Sequence, residues 1–228
     1  MPQGETPAGT LDWRCLEERF EGQDEPLAHD RHHREQDYCC WVLHERFAGP
    51  DCYVTRDRWL LMDPANPDDK LLPDLLVALG VPDELRGEYD PVREGKAPDL
   101  LGEFLSKESL ARDMDEKRGR YAALGVREYW LFNPWGTFAA PRIQGWTLRG
   151  EEAPEALPSG ADGSVASRVI PVRFAVREEL LEILDARTGE AMSPWHAQQL
   201  RIREEIQARQ QEAAAREHAE AARRALEQ

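Results

Sequence analysis

The sequence predicts an α/β fold: a mixed β-sheet flanked by helices, with a long C-terminal helix. Three observations predict it. Short apolar stretches flank a helical stretch between residues 99 and 132, the pattern of a strand–helix–strand unit with parallel strands and a right-handed crossover. Leu72–Leu79 is apolar on both faces, as in a central strand covered on both sides. From Pro194 onward the chain is rich in Ala, Glu, Gln and Arg, without glycine or a later proline. At about 1.5 Å per residue that run would extend roughly 50 Å.

The elements follow in order. Residues 1–25 are polar, carry Pro2, Gly4, Pro7, Gly9 and Gly22, and read as a flexible segment. A helix is expected from about Asp30 to Phe47, with Cys40, Trp41, Val42 and Phe47 on its apolar side and Gly49-Pro50 as its stop. Cys52–Thr55 and Arg58–Met62 read as a hairpin across Arg56-Asp57. Asp63–Asp69 reads as a loop by its proline and Asx content, and 80–97 as a long polar connection. Strands are expected at Asp99–Leu105 and Arg127–Phe132, with a helix over Leu110–Leu124 ended by Gly125. Arg142–Arg149 alternates like an outer strand, and Arg168–Phe174 adds one more. These elements delimit a domain over 26–190. The tail over 194–228 has only Leu200, Ile202 and Ile206 as large aliphatics before Leu226. That sparse stripe makes at most a weak coiled coil or partner helix, and a solvated helix is the alternative.

Composition bounds the function. The 228 residues are 41% hydrophobic and 32% charged, enough for one sizeable globular domain. No apolar run approaches the roughly 18 residues a membrane span needs, and no basic-then-apolar leader opens the chain. A cytoplasmic protein that does not enter membranes is expected. Cys15, Cys39, Cys40 and Cys52 have no zinc-site spacing and read as reduced packing residues. The net charge of −15 argues against a protein that coats nucleic acid. The acid is concentrated, however: residues 1–69 hold 7 basic and 16 acidic side chains, while 70–150 hold 12 and 13. The nearly neutral middle is compatible with local docking of a phosphate backbone.

Three polar residues stand where apolar ones would be normal. Asp74 opens the apolar strand and shares a face with Leu76 and Ala78. A strand-entry aspartate bonded to a loop N–H is the simpler account of it alone. Glu103 sits in mid-strand between Leu101 and Leu105 on one face, with Gly102 beside it permitting a close approach. Lys117 occupies the middle of the helical stripe Leu110, Met114, Lys117, Tyr121, Leu124. An inward lysine needs a carboxylate, unless it snorkels to solvent. Packed back on the sheet, that helix aims Lys117 at Glu103 and Asp74. Two carboxylates on neighbouring strands form a hard-oxygen site for Mg²⁺, and a lysine beside it suits phosphodiester hydrolysis.

Pro73-Asp74, Ala97-Pro98-Asp99 leading into Glu103-Phe104-Leu105-Ser106, Asp113-Met114-x-x-Lys117-x-x-x-Tyr121, Gly125-Val126-Arg127-Glu128-Tyr129-Trp130 and Asn133-Pro134 follow one another in order. In that order they resemble the Uma-type restriction endonuclease family of the PD-(D/E)XK nuclease superfamily, over roughly residues 26–190. The resemblance implies a restriction-endonuclease-like core with Asp74 and Glu103 as metal ligands and the Phe104 carbonyl as a further ligand. It implies Mg²⁺, with Mn²⁺ as a substitute. Leu105 stands where the superfamily pattern has lysine, and Lys117 supplies that amine from the following helix. Family members often carry an acid and then a histidine on the first helix; here His29 stands at the acid's place and His33 at the histidine's, with Asp30 or Glu35 as substitutes for the acid.

The expected activity is therefore a Mg²⁺-dependent endonuclease acting on DNA through Asp74, Glu103 and Lys117. The expected assembly is a homodimer, with a possible partner helix at the tail. The alternative is an inactive nuclease-fold interaction protein assembling through its C-terminal helix. A metal-binding test separates the two.

Overall fold

The structure is a computed structural model of the 228-residue chain. It describes residues 25–105, 116–133, 136, 141–193, 201, 205, 208–212 and 214–216, and within the first helix it describes side chains from 33 onward. Backbone contacts divide the chain into two units, Met1–Glu190 and Ala191–Gln228.

The first described element of the first unit is helix α1, Glu25–Phe47. Strands β1 (Cys52–Thr55), β2 (Leu60–Asp63), β3 (Asn66–Leu71) and β4 (Leu75–Leu79) follow. A short helix α2 (Pro91–Glu94), capped by the Asp90 carboxylate, precedes β5 (Leu100–Phe104). Helix α3 (Arg118–Leu124) ends at Gly125, whose φ of 97° is the left-handed conformation that glycine adopts without strain. Then come β6 (Glu128–Phe132), β7 (Ile143–Thr147), β8 (Glu155–Ala156), β9 (Val165–Ala166), β10 (Val172–Arg177) and β11 (Leu180–Asp185).

The main sheet runs β1-β4-β5-β6-β7-β8. Only β5 and β6 pair in parallel; the other neighbours are antiparallel. This is the mixed sheet expected from the strand–helix–strand pattern. β4 is interior to it, and Leu75, Leu76, Val77 and Ala78 are fully buried.

Each face of the sheet has its own cover. On one face Leu76, Ala78, Leu101, Leu105, Tyr129, Leu131 and Trp146 pack with Tyr121 and Ala122 of α3. On the other, Phe174 of β10 meets the rings of Trp130 and Phe132 at centroid distances of 4.7 and 5.1 Å. A second sheet, β11-β10-β9, thus covers that face. Gly102 lies on it, and a Cβ there would stand 3.0 Å from the Phe132 ring and 3.3 Å from Leu75 Cβ. Gly102 was expected to admit another backbone or a ligand; the groups that crowd it are the side chains of Phe132 and Leu75.

Several expectations need correction. β1 and β2 do not form a hairpin. β1 pairs with β4, and β2 pairs with β3. The run read as the loop Asp63–Asp69 is largely β3, a polar strand with Pro67 and exposed Asn66 and Asp68. Proline and charge are tolerated on a strand without a second neighbour. The apolar side of α1 is Tyr38, Cys39, Val42 and Leu43, while Trp41 is 52% exposed. β11 was not foreseen. The last part of the helix read as Leu110–Leu124 is α3, and Leu110 and Met114 lie outside the described residues.

β11 is an edge strand closed by side chains. Glu35 Oε2 accepts the Leu181 N–H at 3.1 Å, and the Tyr38 hydroxyl oxygen accepts the Ile183 N–H at 3.4 Å. Amides two residues apart point to the same edge, and α1 supplies an acceptor to each. Glu128, at the start of β6, ties the two sheets. Its buried carboxylate accepts from Trp130 Nε1 at 3.0 Å, Ser167 Oγ at 2.7 Å and the Arg168 N–H at 2.6 Å.

In the second unit, residues 201, 205, 208–212 and 214–216 are helical and exposed. Glu205–Arg209 and Glu212–Arg216 form ion pairs at 2.6 and 2.8 Å, four residues apart, the orientation that supports a solvated helix. A single helix over 194–228 is not supported: the rest of that stretch lies outside the described residues.

Candidate active site

The site forms where β4 begins and β5 ends. The register pairs Leu75 with Gly102 and Leu76 with Leu101. Asp74 immediately precedes β4, and Glu103 follows Gly102 in β5. Phe104, the last residue of β5, donates its backbone N–H to Asp74 Oδ2 at 2.7 Å. Asp74 is thus a strand-entry aspartate, but the N–H it accepts belongs to strand β5 rather than to a loop.

Glu103 is 1% exposed. Lys117 Nζ donates to its Oε2 at 2.7 Å, and the Tyr121 hydroxyl donates to its Oε1 at 2.9 Å. Lys117 is 9% exposed, so its ammonium does not snorkel away from the sheet. It already has right-handed helical geometry, with φ −61° and ψ −43°, just before α3. A helical turn places residues 117 and 121 one above the other, and both reach the same carboxylate. Of the three residues singled out from sequence, Lys117 and Glu103 are in direct contact, and Asp74 is tied to the residue after Glu103 through the Phe104 N–H.

The donor set suits a divalent cation. The carboxylates of Asp74 and Glu103 are hard oxygen donors. Lys117 brings one positive charge to Glu103. Among the described residues no three His, Cys, Asp or Glu side chains gather into a metal-capable group. Glu35, considered as a first-helix acid, has its Oε2 on β11. His33 is exposed, with its Nδ1 3.2 Å from Gln36 Oε1. The side chains of His29 and Asp30 lie outside the described residues.

Sequence reasoning missed Glu128 as a structural acid. The signal was present, because Glu128 shares the Trp130 and Phe132 side of a buried strand. Asp99, also buried, accepts from the Leu79 N–H at 2.8 Å, Lys96 Nζ at 2.6 Å and Arg127 Nη1 at 3.1 Å. It anchors the opposite end of β5. Cys39 and Cys52 are buried and Cys40 half-buried, all as free thiols. Burial raises the Cys40 and Cys52 thiols to about 11, so they are neutral packing groups near pH 7.

The profile of the Uma2 family, described as "Putative restriction endonuclease", matches residues 18–161, more than half of the chain. The chain belongs to the Uma2 family. The match spans Asp74, Glu103, Lys117 and Tyr121. No curated protein matches this Uma2 chain. Among solved structures it is similar to "a putative nuclease belonging to DUF820 from Anabaena variabilis ATCC 29413" at 14% identity and a TM-score of 0.44, covering 71% of this chain and 78% of that one. Among the described residues no helix is long and apolar enough to cross a membrane.

Proposed function

We propose that this Uma2 protein is a Mg²⁺-dependent endonuclease that hydrolyses DNA phosphodiester bonds, on the PD-(D/E)XK plan. One observation carries the reading: a buried lysine donates to Glu103 at 2.7 Å, and the next residue of β5, Phe104, donates its N–H to Asp74 at 2.7 Å. In this reading Asp74, Glu103 and the Phe104 carbonyl hold Mg²⁺, or Mn²⁺ in its place. The bound ion lowers the pKa of water and offsets phosphate charge. The chain's own residues do the rest. The Phe104 N–H fixes the Asp74 carboxylate. Lys117 directs its ammonium toward the charge that develops on the phosphate, and Glu103 keeps that amine in place. The protein acts in the cytoplasm as a homodimer, one site per strand of a duplex, with the tail as a possible partner helix.

The −15 charge favours a second reading, an inactive nuclease scaffold that binds a protein partner. Plasmid nicking with Mg²⁺ or Mn²⁺ separates the two. Wild type is expected to nick, and Lys117→Ala to lose the activity by about a hundredfold or more, as when one electrostatic donor is removed from an active site. Equal behaviour of both proteins with either cation would remove the catalytic assignment.

A further inference from the structure

We infer that Tyr121 is a positioning residue for Glu103, a role that rests on the cation-binding reading of Asp74 and Glu103. The Glu103 carboxylate is gripped at both oxygens by one turn of one helix. Lys117 takes Oε2 at 2.7 Å, and the Tyr121 hydroxyl takes Oε1 at 2.9 Å. With each oxygen assigned to a different donor, the carboxylate cannot rotate about its terminal bond without breaking a hydrogen bond.

The phenol is itself enclosed. Tyr121 is fully buried, and its ring lies 5.7 Å from that of Tyr129 between centroids. A phenylalanine would fill the same volume without burying a polar atom. The hydroxyl is accounted for by its bond to Glu103. Partners of this kind, which orient a ligating carboxylate, typically change metal affinity or activity by about 10–100-fold when removed.

The test is Mn²⁺ titration calorimetry on the full chain, with thermal melts alongside, for wild type, Tyr121→Phe and Tyr121→Leu. Tyr121→Phe removes only the hydroxyl. It is expected to weaken Mn²⁺ binding about tenfold with little change in Tm. Tyr121→Leu also removes the ring, so its Tm falls further, while its Mn²⁺ affinity falls no more than that of Tyr121→Phe. Wild-type affinity in Tyr121→Phe would overturn the assignment. So would affinity that follows Tm and drops only in Tyr121→Leu, because that pattern belongs to packing. Should Tyr121→Leu fail to fold, the comparison of Tyr121→Phe with wild type decides. A wild-type chain that binds no Mn²⁺ would sink the cation-binding reading and this inference with it. Binding by wild type that is unchanged in Tyr121→Phe sinks this inference alone.

Discussion

Lys117 and Glu103 form a buried ion pair at 2.7 Å between the turn that opens α3 and the last part of β5. Removing one partner of a buried pair leaves the other charge without its counter-ion and commonly costs about 3–5 kcal/mol. Lys117→Met is therefore expected to lower the denaturation midpoint markedly. Mn²⁺ should restore part of the loss, because a cation between Asp74 and Glu103 replaces the missing positive charge. Melts with and without Mn²⁺ measure this. A Mn²⁺-induced rise in Tm no larger in Lys117→Met than in wild type would contradict it.

Asp74 offers a separation of fold from chemistry. Its Oδ2 accepts the Phe104 N–H at 2.7 Å, a charge-assisted bond typically worth about 1.5–3 kcal/mol. Asp74→Asn retains a carbonyl acceptor for that N–H, whereas Asp74→Ala removes it. Asn should thus keep most of the stability and Ala should not, while both lose nicking. Urea titrations and plasmid assays on the pair check this; an active Asn variant would count against Asp74 as a ligand.

The edge of β11 depends on α1. Glu35→Ala removes the acceptor of the Leu181 N–H, and an unsatisfied buried amide costs about 1–3 kcal/mol. Hydrogen exchange should quicken at Leu181 more than at the paired residues of β10. Tyr38→Phe should do the same at Ile183, with a smaller effect because that bond is 3.4 Å long. Uniform exchange across both strands would show that these side chains do not cap the edge.

Alkaline stability follows from the thiols. Burial raises Cys40 and Cys52 from 9.0 to about 11. The unfolded chain therefore releases these protons first. The contribution is whole below pH 9 and is lost as pH rises toward 11. Urea midpoints at pH 8 and 10.5 should fall more for wild type than for Cys40→Ala/Cys52→Ala. Equal falls would mean that other groups govern the alkaline limb.

The Lys117–Glu103 contact was largely written in local pattern. Glu103 interrupts a row of leucines, and Lys117 interrupts a helical stripe. A buried charge between apolar neighbours is costly without a partner, so the two anomalies pointed to each other before any coordinates. Periodicity likewise marked β4, β5 and β6, because each is short, apolar and bounded by turn residues.

Only the tertiary structure decided the pairings. β1 joins β4 rather than the nearby β2, and polar β3 becomes a strand because β2 offers it a hydrogen-bonding edge. The bond from the Phe104 N–H to Asp74, the capping of β11 by Glu35 and Tyr38, and the bridge made by Glu128 depend in the same way on residues distant in the chain. Strand partners are chosen by competition among whole surfaces for burial and for backbone hydrogen bonds. That competition leaves no periodic mark in the sequence, whereas the cost of a charge on an apolar face does.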